Sequence, residues 1–141
     1  MFANSHFALG THVLTVLAVH RDDGPVTSAR LARSINTNPA FLRTLLGDLR
    51  QAGLIEISLG KGGGAQLARA ASRVTLADVY RAVEKRPPIQ LHRCPPDKRC
   101  VVGRNIISLL EDVVGEVETA ALRRLAGTTV ADLAARALGR G

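Results

Sequence analysis

The residues best suited to chemistry lie in one short stretch, where His92, Cys94 and Cys100 follow one another among prolines. Cys100 is predicted to come directly before a long helix, whose free amides and dipole would stabilise a thiolate and favour its oxidation. The basic side chains in the same stretch would act in the same direction. The pattern indicates a thiol switch, in which Cys94 of the same or a partner chain resolves oxidised Cys100. The alternative is that both cysteines are small, partly buried structural residues.

A zinc ion takes the same kinds of side chain, but a closed structural site needs four ligands and only three lie nearby. Such a site would have to be shared between two chains or completed by water, and we expect no metal and no cofactor. The sequence has no Gly-x-Ser-x-Gly motif, no P-loop ending and no paired-carboxylate arrangement. We therefore expect no catalytic residues and no enzyme activity.

Two short helices joined by a turn are predicted in the first half of the chain. Thr27 or Ser28 can cap the first of them, because their side-chain oxygens accept from free helix amides. Asn38 and Pro39 mark the start of the second, since proline lacks an amide that the first helical position does not need. Apolar residues then recur at spacings of three and four, which leaves arginine and threonine on the other faces.

A hairpin is predicted to follow the second helix. Gly53 is a natural left-handed stop, and residues 54–57 have strand composition. The glycine-rich stretch at 60–64 can only be a turn, with residues 66–68 returning beside it. Helix, turn, helix and hairpin together predict a mainly α fold with a small β-hairpin wing, a winged helix-turn-helix. Its second helix is narrow enough to enter the DNA major groove.

The charge of the chain favours a polyanionic partner. The net charge is +7 and the isoelectric point about 10.7. Residues 24–75 contain seven basic and two acidic side chains, a net charge of +5, so most of the excess lies on the predicted winged segment. Aromatic residues make up only 3%, too few for stacking single-stranded bases. Double-stranded DNA is therefore the predicted partner, although a solvated basic face would have the same composition.

No apolar run approaches the roughly 20 residues that a membrane span requires. The N-terminus lacks the pattern of an export signal, and two cysteines in such a chain are expected to be free thiols in a reducing compartment. We therefore expect a cytoplasmic protein with no membrane contact.

A long helix is predicted from about residue 102 to 125. It carries an apolar stripe of Ile106, Leu110, Val113, Val117 and Ala120. The helix is too long and too apolar to be covered by a small winged domain, so we expect a second copy of the chain to bury the remaining apolar surface. The alternative is an intramolecular core helix. The expected organisation is a winged helix-turn-helix domain (1–86), a sensor and linker loop (87–101), and a dimerisation helix followed by a short helix (102–141).

Four blocks of sequence together resemble the Rrf2 family of bacterial transcriptional regulators. They are NTNP at 36–39, LRQAGLI at 49–55, GKGGGAQLA at 60–68 and TLADVYRAVE at 75–84. The resemblance implies a homodimer joined through the long helix, two recognition helices that read a partly palindromic operator, and a sensor segment before the long helix. Family members with an iron–sulfur cluster carry three spaced cysteines there. This chain has two and is similar to the cluster-free, YwnA-like branch.

The resemblance also implies which residues contact DNA. The second helix from Asn38 through Thr44 would face base edges, the phosphates would be bound near the first helix, and the wing backbone would follow the adjacent groove. The implied DNA-binding residues are Thr27, Ser28, Asn38, Pro39, Phe41, Arg43, Thr44, Arg50, Lys61, Gly62 and Gly63. Family wings often have an arginine before the first glycine and an aromatic after the last, where this chain has Leu59 and Ala65. Wing contacts are therefore expected to be weaker or differently distributed.

The sequence thus predicts a sequence-specific DNA-binding transcriptional regulator, a repressor that responds to redox state through cysteine thiols. The alternative from another class is a winged-helix scaffold that docks an acidic protein partner on its basic face.

Overall fold

The computed structural model describes residues 4–140, and within them the chain forms six α-helices and one antiparallel hairpin. The helices are α1 (His6–Val19), α2 (Ser28–Ile35), α3 (Pro39–Gln51), α4 (Leu76–Val83), α5 (Ile106–Ala126) and α6 (Val130–Arg140), and the strands are β1 (Ile55–Ser58) and β2 (Gly64–Leu67). The predicted mainly α fold with a hairpin wing is confirmed. The outer limits of the predicted domains, residues 1 and 141, lie outside the described residues.

Side-chain caps begin the second and third helices. Thr27 Oγ1 accepts from the Arg30 amide at 3.2 Å, and Asn38 Oδ1 accepts from the Phe41 amide at 2.8 Å. Pro39 is the first residue of α3. Each cap satisfies an amide that the helix itself leaves free, which is worth about 1 kcal/mol. Local chemistry therefore fixes where α2 and α3 begin.

The core forms where α1 packs against α2, α3, α4 and α6. A Cβ added at Gly10 of α1 would lie 3.3 Å from the Val83 side chain and 3.4 Å from the Val79 side chain, so α1 and α4 approach closely because that position has no side chain. The largest fully buried side chains come from every α-helix except α5, from the first strand and from residues close to these elements: Val13, Leu14, Leu31, Leu42, Leu49, Leu54, Ile55, Val74, Val79, Val83 and Val130.

The hairpin pairs Ile55 with Leu67 and Ser58 with Gly64. Its strands are displaced by one or two residues from the predicted ones. It is also tied to the start of the helix-turn-helix, because the amides and carbonyls of Val26 and Ala65 exchange hydrogen bonds of 3.0 and 2.8 Å. This long-range bridge orients the wing relative to α2 and α3.

A second bridge joins the middle of the chain to its end. Thr75 and Thr129 pair as an isolated β-bridge, and each of these residues begins a helix with a reciprocal cap. The Thr129 amide, which donates to the carboxylate of Asp132, lowers the pKa of that carboxyl below its ordinary value. The bridge brings α6 back onto α1, so Val130 belongs to the same core as the helices of the winged segment.

The long helix begins later than the sequence predicts. The expectation was a start near residue 102, whereas α5 begins at Ile106 and residues 101–105 form turns. The chain folds back there, and a Cβ at Gly103 would lie 2.4 Å from the Asp97 carbonyl oxygen. The backbone at 97–103 is therefore folded against itself. Among residues 4–140, none of the helices has the length and hydropathy of a membrane-spanning segment.

We predict that Leu49→Ala lowers the free energy of unfolding by about 2–5 kcal/mol, because it leaves a cavity at a fully buried position of α3. Leu138→Ala is the matched control, since Leu138 is 67% exposed and its truncation should change stability by less than about 0.5 kcal/mol. Urea unfolding measures both. Equal losses in the two variants would contradict the packing described above.

Candidate nucleic-acid interface

Helix α3 has one buried and one exposed face. Its inward side chains are all leucine and all buried: Leu42, Leu45, Leu46 and Leu49. Arg43, Thr44, Gly47 and Arg50 lie exposed on the outward side. Residues three, four and seven apart share a helix face, so the same spacing that buries the leucines holds Arg43 and Arg50 in one row on the surface. The predicted arrangement, with apolar residues on one face and arginine and threonine on the others, is present.

The outward face of α3 is electrostatically positive. The helix has one acidic residue, Asp48, which is partly buried and whose Oδ1 lies 3.6 Å from Lys85 Nζ. Within residues 4–140, Arg43 and Arg50 form no salt bridge, so both guanidinium groups remain available to a partner. An unpaired arginine on a rigid helix can bind phosphate oxygens or the edge of a guanine.

Hydroxyl groups lie at the start of α2. Thr27 and Ser28 are exposed. Because Thr27 Oγ1 serves the helix as an acceptor, its own hydroxyl hydrogen can still be donated to a phosphate oxygen. The free amides at a helix N-terminus favour the same negative group. The predicted phosphate contacts are thus chemically well placed, on the helix next to α3.

The wing tip combines one cation with a glycine turn. Lys61 and Gly62 are exposed, and Gly63 is half-buried. The amide of Gly63 already donates to the Gly60 carbonyl at 3.0 Å, so that amide is not free for DNA. A Cβ at Gly63 would lie 2.4 Å from the Ser58 carbonyl oxygen, which shows that the hairpin itself excludes a side chain there. The glycine at this position is required by the turn, and not only by close approach to a partner.

A groove of about 600 Å³ separates α3 from the wing. Arg43, Arg50 and Ser28 line it together with Leu59, which is 92% exposed. Apolar side chains of α2, α3 and β1 complete the lining. The groove therefore places the two free arginines and an exposed leucine around one depression.

Three other predicted base contacts are partly engaged inside the protein. The ring of Phe41 is half-buried and its centroid lies 5.1 Å from that of His6, so only part of it faces solvent. The Asn38 oxygen caps α3, although Asn38 and Pro39 are exposed. Thr44 is exposed, and its hydroxyl donates to the Ala40 carbonyl at 3.4 Å. Arg43 is the longest unengaged polar side chain on this part of the helix.

The environment of the cysteines differs from the predicted one. Cys94 and Cys100 are both free and exposed, so neither is a partly buried structural residue. Cys100 does not lie directly before α5, because five residues separate it from Ile106. Its own amide donates to the Asp97 carbonyl at 3.2 Å. The proposed stabilisation of a thiolate by the first amides of the long helix is therefore wrong.

Arg99 also does not act on the thiol as expected. Its guanidinium donates to both oxygens of Asp97, Nε to Oδ1 at 3.1 Å and Nη2 to Oδ2 at 3.3 Å. These hydrogen bonds, together with one from the Arg99 amide, lower the pKa of Asp97 below its ordinary value. The charge of Arg99 is compensated locally. Within residues 4–140 no three His, Cys, Asp or Glu side chains lie close enough together to hold a metal ion, so His92, Cys94 and Cys100 do not form such a group.

A second basic region was not singled out from the sequence. Residues 85–104 contain six basic side chains and one acidic one, a net charge of +5, which equals that of residues 24–75. The same counting of charge by segment would have found it. In contrast to α3, this region has no α-helix or strand and contains a compensated pair at Asp97 and Arg99.

The residues of the predicted dimer stripe on α5 differ in how far they are exposed. None of its residues is buried. Ile106 and Leu110 are half-buried on the helix that packs against α4, whereas Val113 and Val117 are exposed. Leu109, which the prediction omitted, is 59% exposed and lies one turn before Val113. The inner side meets Tyr80, where burial raises the pKa of the phenol and Glu118 raises it further.

Comparison with known proteins identifies relatives over most of the chain. The family model Rrf2, described as an iron-dependent transcriptional regulator, matches residues 3–136. The protein rrf2 of Nitratidesulfovibrio vulgaris is 33% identical over 125 residues, which are 88% of this chain and 81% of that protein. YwnA of Bacillus subtilis, named as an HTH-type transcriptional regulator, is 29% identical over 130 residues, which are 92% of this chain and 95% of that protein.

A solved structure supports the same assignment. The oxidised form of Staphylococcus aureus CymR superposes with a TM-score of 0.70 at 25% identity, covering 95% of this chain and 96% of that one. The helix order and the two-stranded wing agree with the winged-helix architecture of such regulators. The family model and the rrf2 relative together show that this chain belongs to the Rrf2 family of transcriptional regulators.

Proposed function

We propose that this regulator is a repressor that binds a partly palindromic DNA operator as a homodimer. The observation that carries the proposal is the outward face of α3, which holds Arg43 and Arg50 in one exposed row without a salt bridge to either among the described residues. A cationic helix of 13 residues on a rigid core fits the DNA major groove. Such a regulator works where the chromosome is, in the cytoplasm.

Base readout in this proposal comes from the first half of α3. Arg43 can donate two hydrogen bonds to one guanine, and Thr44 and the exposed edge of Phe41 can contact neighbouring bases. Asn38 and Pro39 set the start of the helix against the groove. Both residues are exposed. These contacts would supply sequence specificity.

Phosphate contacts come from the elements on either side of α3. The proposed set is Thr27, Ser28, Arg50, Lys61, Gly62 and the backbone around Gly63. Such contacts fix the register of the protein on the duplex and supply affinity that falls steeply with salt. The arginines and Lys61 should dominate this part of the binding free energy.

The outer side of α5 is the proposed dimer contact. Leu109, Val113 and Val117 follow one another at intervals of four residues, and their exposed fractions are 59%, 55% and 37%. A partner helix would remove this stripe from water, with Ile106 and Leu110 at its inner margin. A two-fold dimer would present two α3 helices to two half-sites, which is why a palindrome is expected.

The thiols of Cys94 and Cys100 are the proposed sensor. Both are exposed and free, and both lie on the segment between α4 and α5, so their modification can act on the approach to the proposed dimer helix. The similar protein CymR has been solved in an oxidised form. Oxidation to a disulfide, with a peroxide as the electron acceptor, would change the spacing of the two α3 helices.

The alternative is a scaffold that docks an acidic protein partner. The basic region at 85–104 favours it, since its charge lies outside the winged segment. Selection from genomic DNA separates the two proposals, because a regulator enriches one inverted repeat whereas a scaffold binds DNA without a motif.

We predict that purified protein enriches one inverted repeat, and that Arg43→Ala costs about 1–3 kcal/mol and relaxes preference at one base position in each half-site. The physical reason is the loss of a bidentate contact. Selection followed by binding titrations measures both effects. Arg123→Ala on α5 is the matched control, because it removes the same exposed charge away from α3. Equal weakening on all sequences would make Arg43 a phosphate contact instead.

We predict that Val113→Lys weakens self-association at least about tenfold, since a lysine would bring an unpaired charge into an apolar interface. Sedimentation should show monomers at concentrations where the wild type is dimeric, with loss of cooperative binding to two half-sites. Glu111→Lys tests the effect of charge alone on the same helix. Dimers that survive Val113→Lys would place the interface elsewhere.

We predict that peroxide lowers operator affinity at least about tenfold, that dithiothreitol restores it, and that Cys100→Ser abolishes the response. Cys94→Ser should allow the first oxidation but prevent the disulfide, which mass spectrometry distinguishes. Identical affinity of oxidised and reduced wild-type protein would refute the sensor role and leave DNA binding itself unaffected.

A further inference from the structure

A cavity of about 330 Å³ lies at the base of the wing, between the end of α1 and the second strand of the hairpin. Its lining comes from residues 17–26 on one side and from residues 65–70 on the other. None of these residues lines the groove between α3 and the wing, so this wing-base cavity is a separate feature. Its volume lies at the lower end of the range for small-molecule sites, about 300–1,000 Å³.

The charged side chains that line the wing-base cavity are cationic. Arg21 and Arg69 line it, and no acidic side chain does. Both arginines are exposed, and within residues 4–140 neither forms a salt bridge. The nearby carboxylate of Asp23 is engaged by His20, whose Nδ1 lies 2.9 Å from Asp23 Oδ2, while Arg30 Nη2 lies 3.2 Å from His20 Nε2. Two guanidinium groups therefore remain for an anion, and their paired donors match the oxygens of a carboxylate or phosphate.

An open strand edge adds main-chain hydrogen-bonding groups to the same cavity. Ala65 exchanges hydrogen bonds with Val26, so its amide and carbonyl point away from β1. Alternate residues of an antiparallel strand point to the same edge, so those of Leu67 point there too. In this register Leu67 lies opposite Gly24, and no backbone hydrogen bond joins the two residues. Both line the cavity, which leaves a donor and an acceptor of Leu67 for a ligand.

The rest of the lining is largely apolar. Leu17, Val26 and Ala65 are buried, and Leu67 and Ala70 are half-buried. An inorganic ion would leave this apolar surface uncovered, whereas an organic anion can cover it. A peptide strand fits poorly, because the bridge between Val26 and Ala65 already closes the edge on one side. The chemistry of the cavity therefore favours a small organic anion.

We propose that the wing-base cavity binds a small organic oxyanion, a carboxylate or phosphate ester with an apolar part, which stabilises the attachment of the wing. The oxyanion contacts Arg21 and Arg69, and the apolar part lies against Leu17. Such a ligand contacts both segments that the bridge between Val26 and Ala65 joins, so its binding opposes opening of that bridge. Only the consequence for DNA binding rests on the proposed function.

The test is an NMR titration of the free protein with benzoate, phenyl phosphate and neutral benzamide at constant ionic strength. Benzoate or phenyl phosphate should cause saturable amide shifts at residues 17–24 and 65–70, and the tighter of the two identifies the preferred oxyanion. Benzamide, which has the same ring without the charge, should bind at least about tenfold more weakly. Hydrogen exchange of the Val26 and Ala65 amides should slow when the cavity is filled.

Variants at the two arginines test whether they recognise the anion. Arg21→Ala and Arg69→Ala should each weaken binding of the preferred anion at least about fivefold, since each removes one charged pair of donors. Arg123→Ala removes an exposed arginine of α5 and should bind as the wild type does.

Other outcomes overturn the inference. Equal binding of benzamide and the two anions shows that the arginines do not recognise charge, and shifts that fail to saturate show that there is no defined site. Binding without slower exchange at Val26 and Ala65 refutes the effect on the wing. If Arg21→Ala and Arg69→Ala leave anion binding unchanged but weaken binding to all DNA sequences, these arginines are phosphate contacts instead. Failure to select a DNA motif would contradict the proposed function alone, because the titration contains no DNA.

Discussion

Four leucines of α3, at positions 42, 45, 46 and 49, are buried against the neighbouring helices, and this contact determines what the helix can present to a partner. A helix has a fixed angular relation between its residues, so packing one side sets the direction of the other. Arg43 and Arg50 are held outward because the leucines are held inward. Replacing one such leucine would cost more than any single surface contact contributes.

Two long-range β-bridges fix the positions of the elements around α3. Val26 and Ala65 join the wing to the chain before α2, and Thr75 and Thr129 join α6 to the start of α4. The first bridge positions the wing beside α3, and the second closes the core around α1. The elements that would contact DNA are therefore parts of one packed body, which is the condition for reading two grooves at a fixed spacing.

The sequence was sufficient where structure depends on local chemistry. The caps at Thr27 and Asn38, the inward leucines of α3 and the glycine-rich wing tip follow from hydrogen bonding and periodicity within a few residues. Both bridges were missed, because a pair of residues far apart in sequence leaves no local pattern. The late start of α5 was missed for a related reason, since the turn at Gly103 depends on the carbonyl of Asp97 six residues earlier.

In the candidate site, too, the features set by local spacing could be predicted and those set by contacts in the folded chain could not. Exposure of Arg43, Arg50 and Lys61 could be predicted, because amphipathic spacing assigns them to the surface. The environment of the cysteines could not be predicted, since the Arg99 guanidinium that was expected to act on Cys100 is paired with Asp97 instead. The sequence does not show which nearby group a charged side chain will pair with, because the folded geometry decides which pair forms.

DNA is proposed to lie on the outward face of α3 and the wing, and not on the equally charged region at 85–104. Amide chemical-shift mapping by NMR, during titration with an operator duplex, distinguishes these two surfaces. The largest shifts are expected at residues 27–28, 38–44 and 59–63, with small shifts across 85–104. Shifts concentrated at 85–104, with those of α3 unchanged, would contradict it.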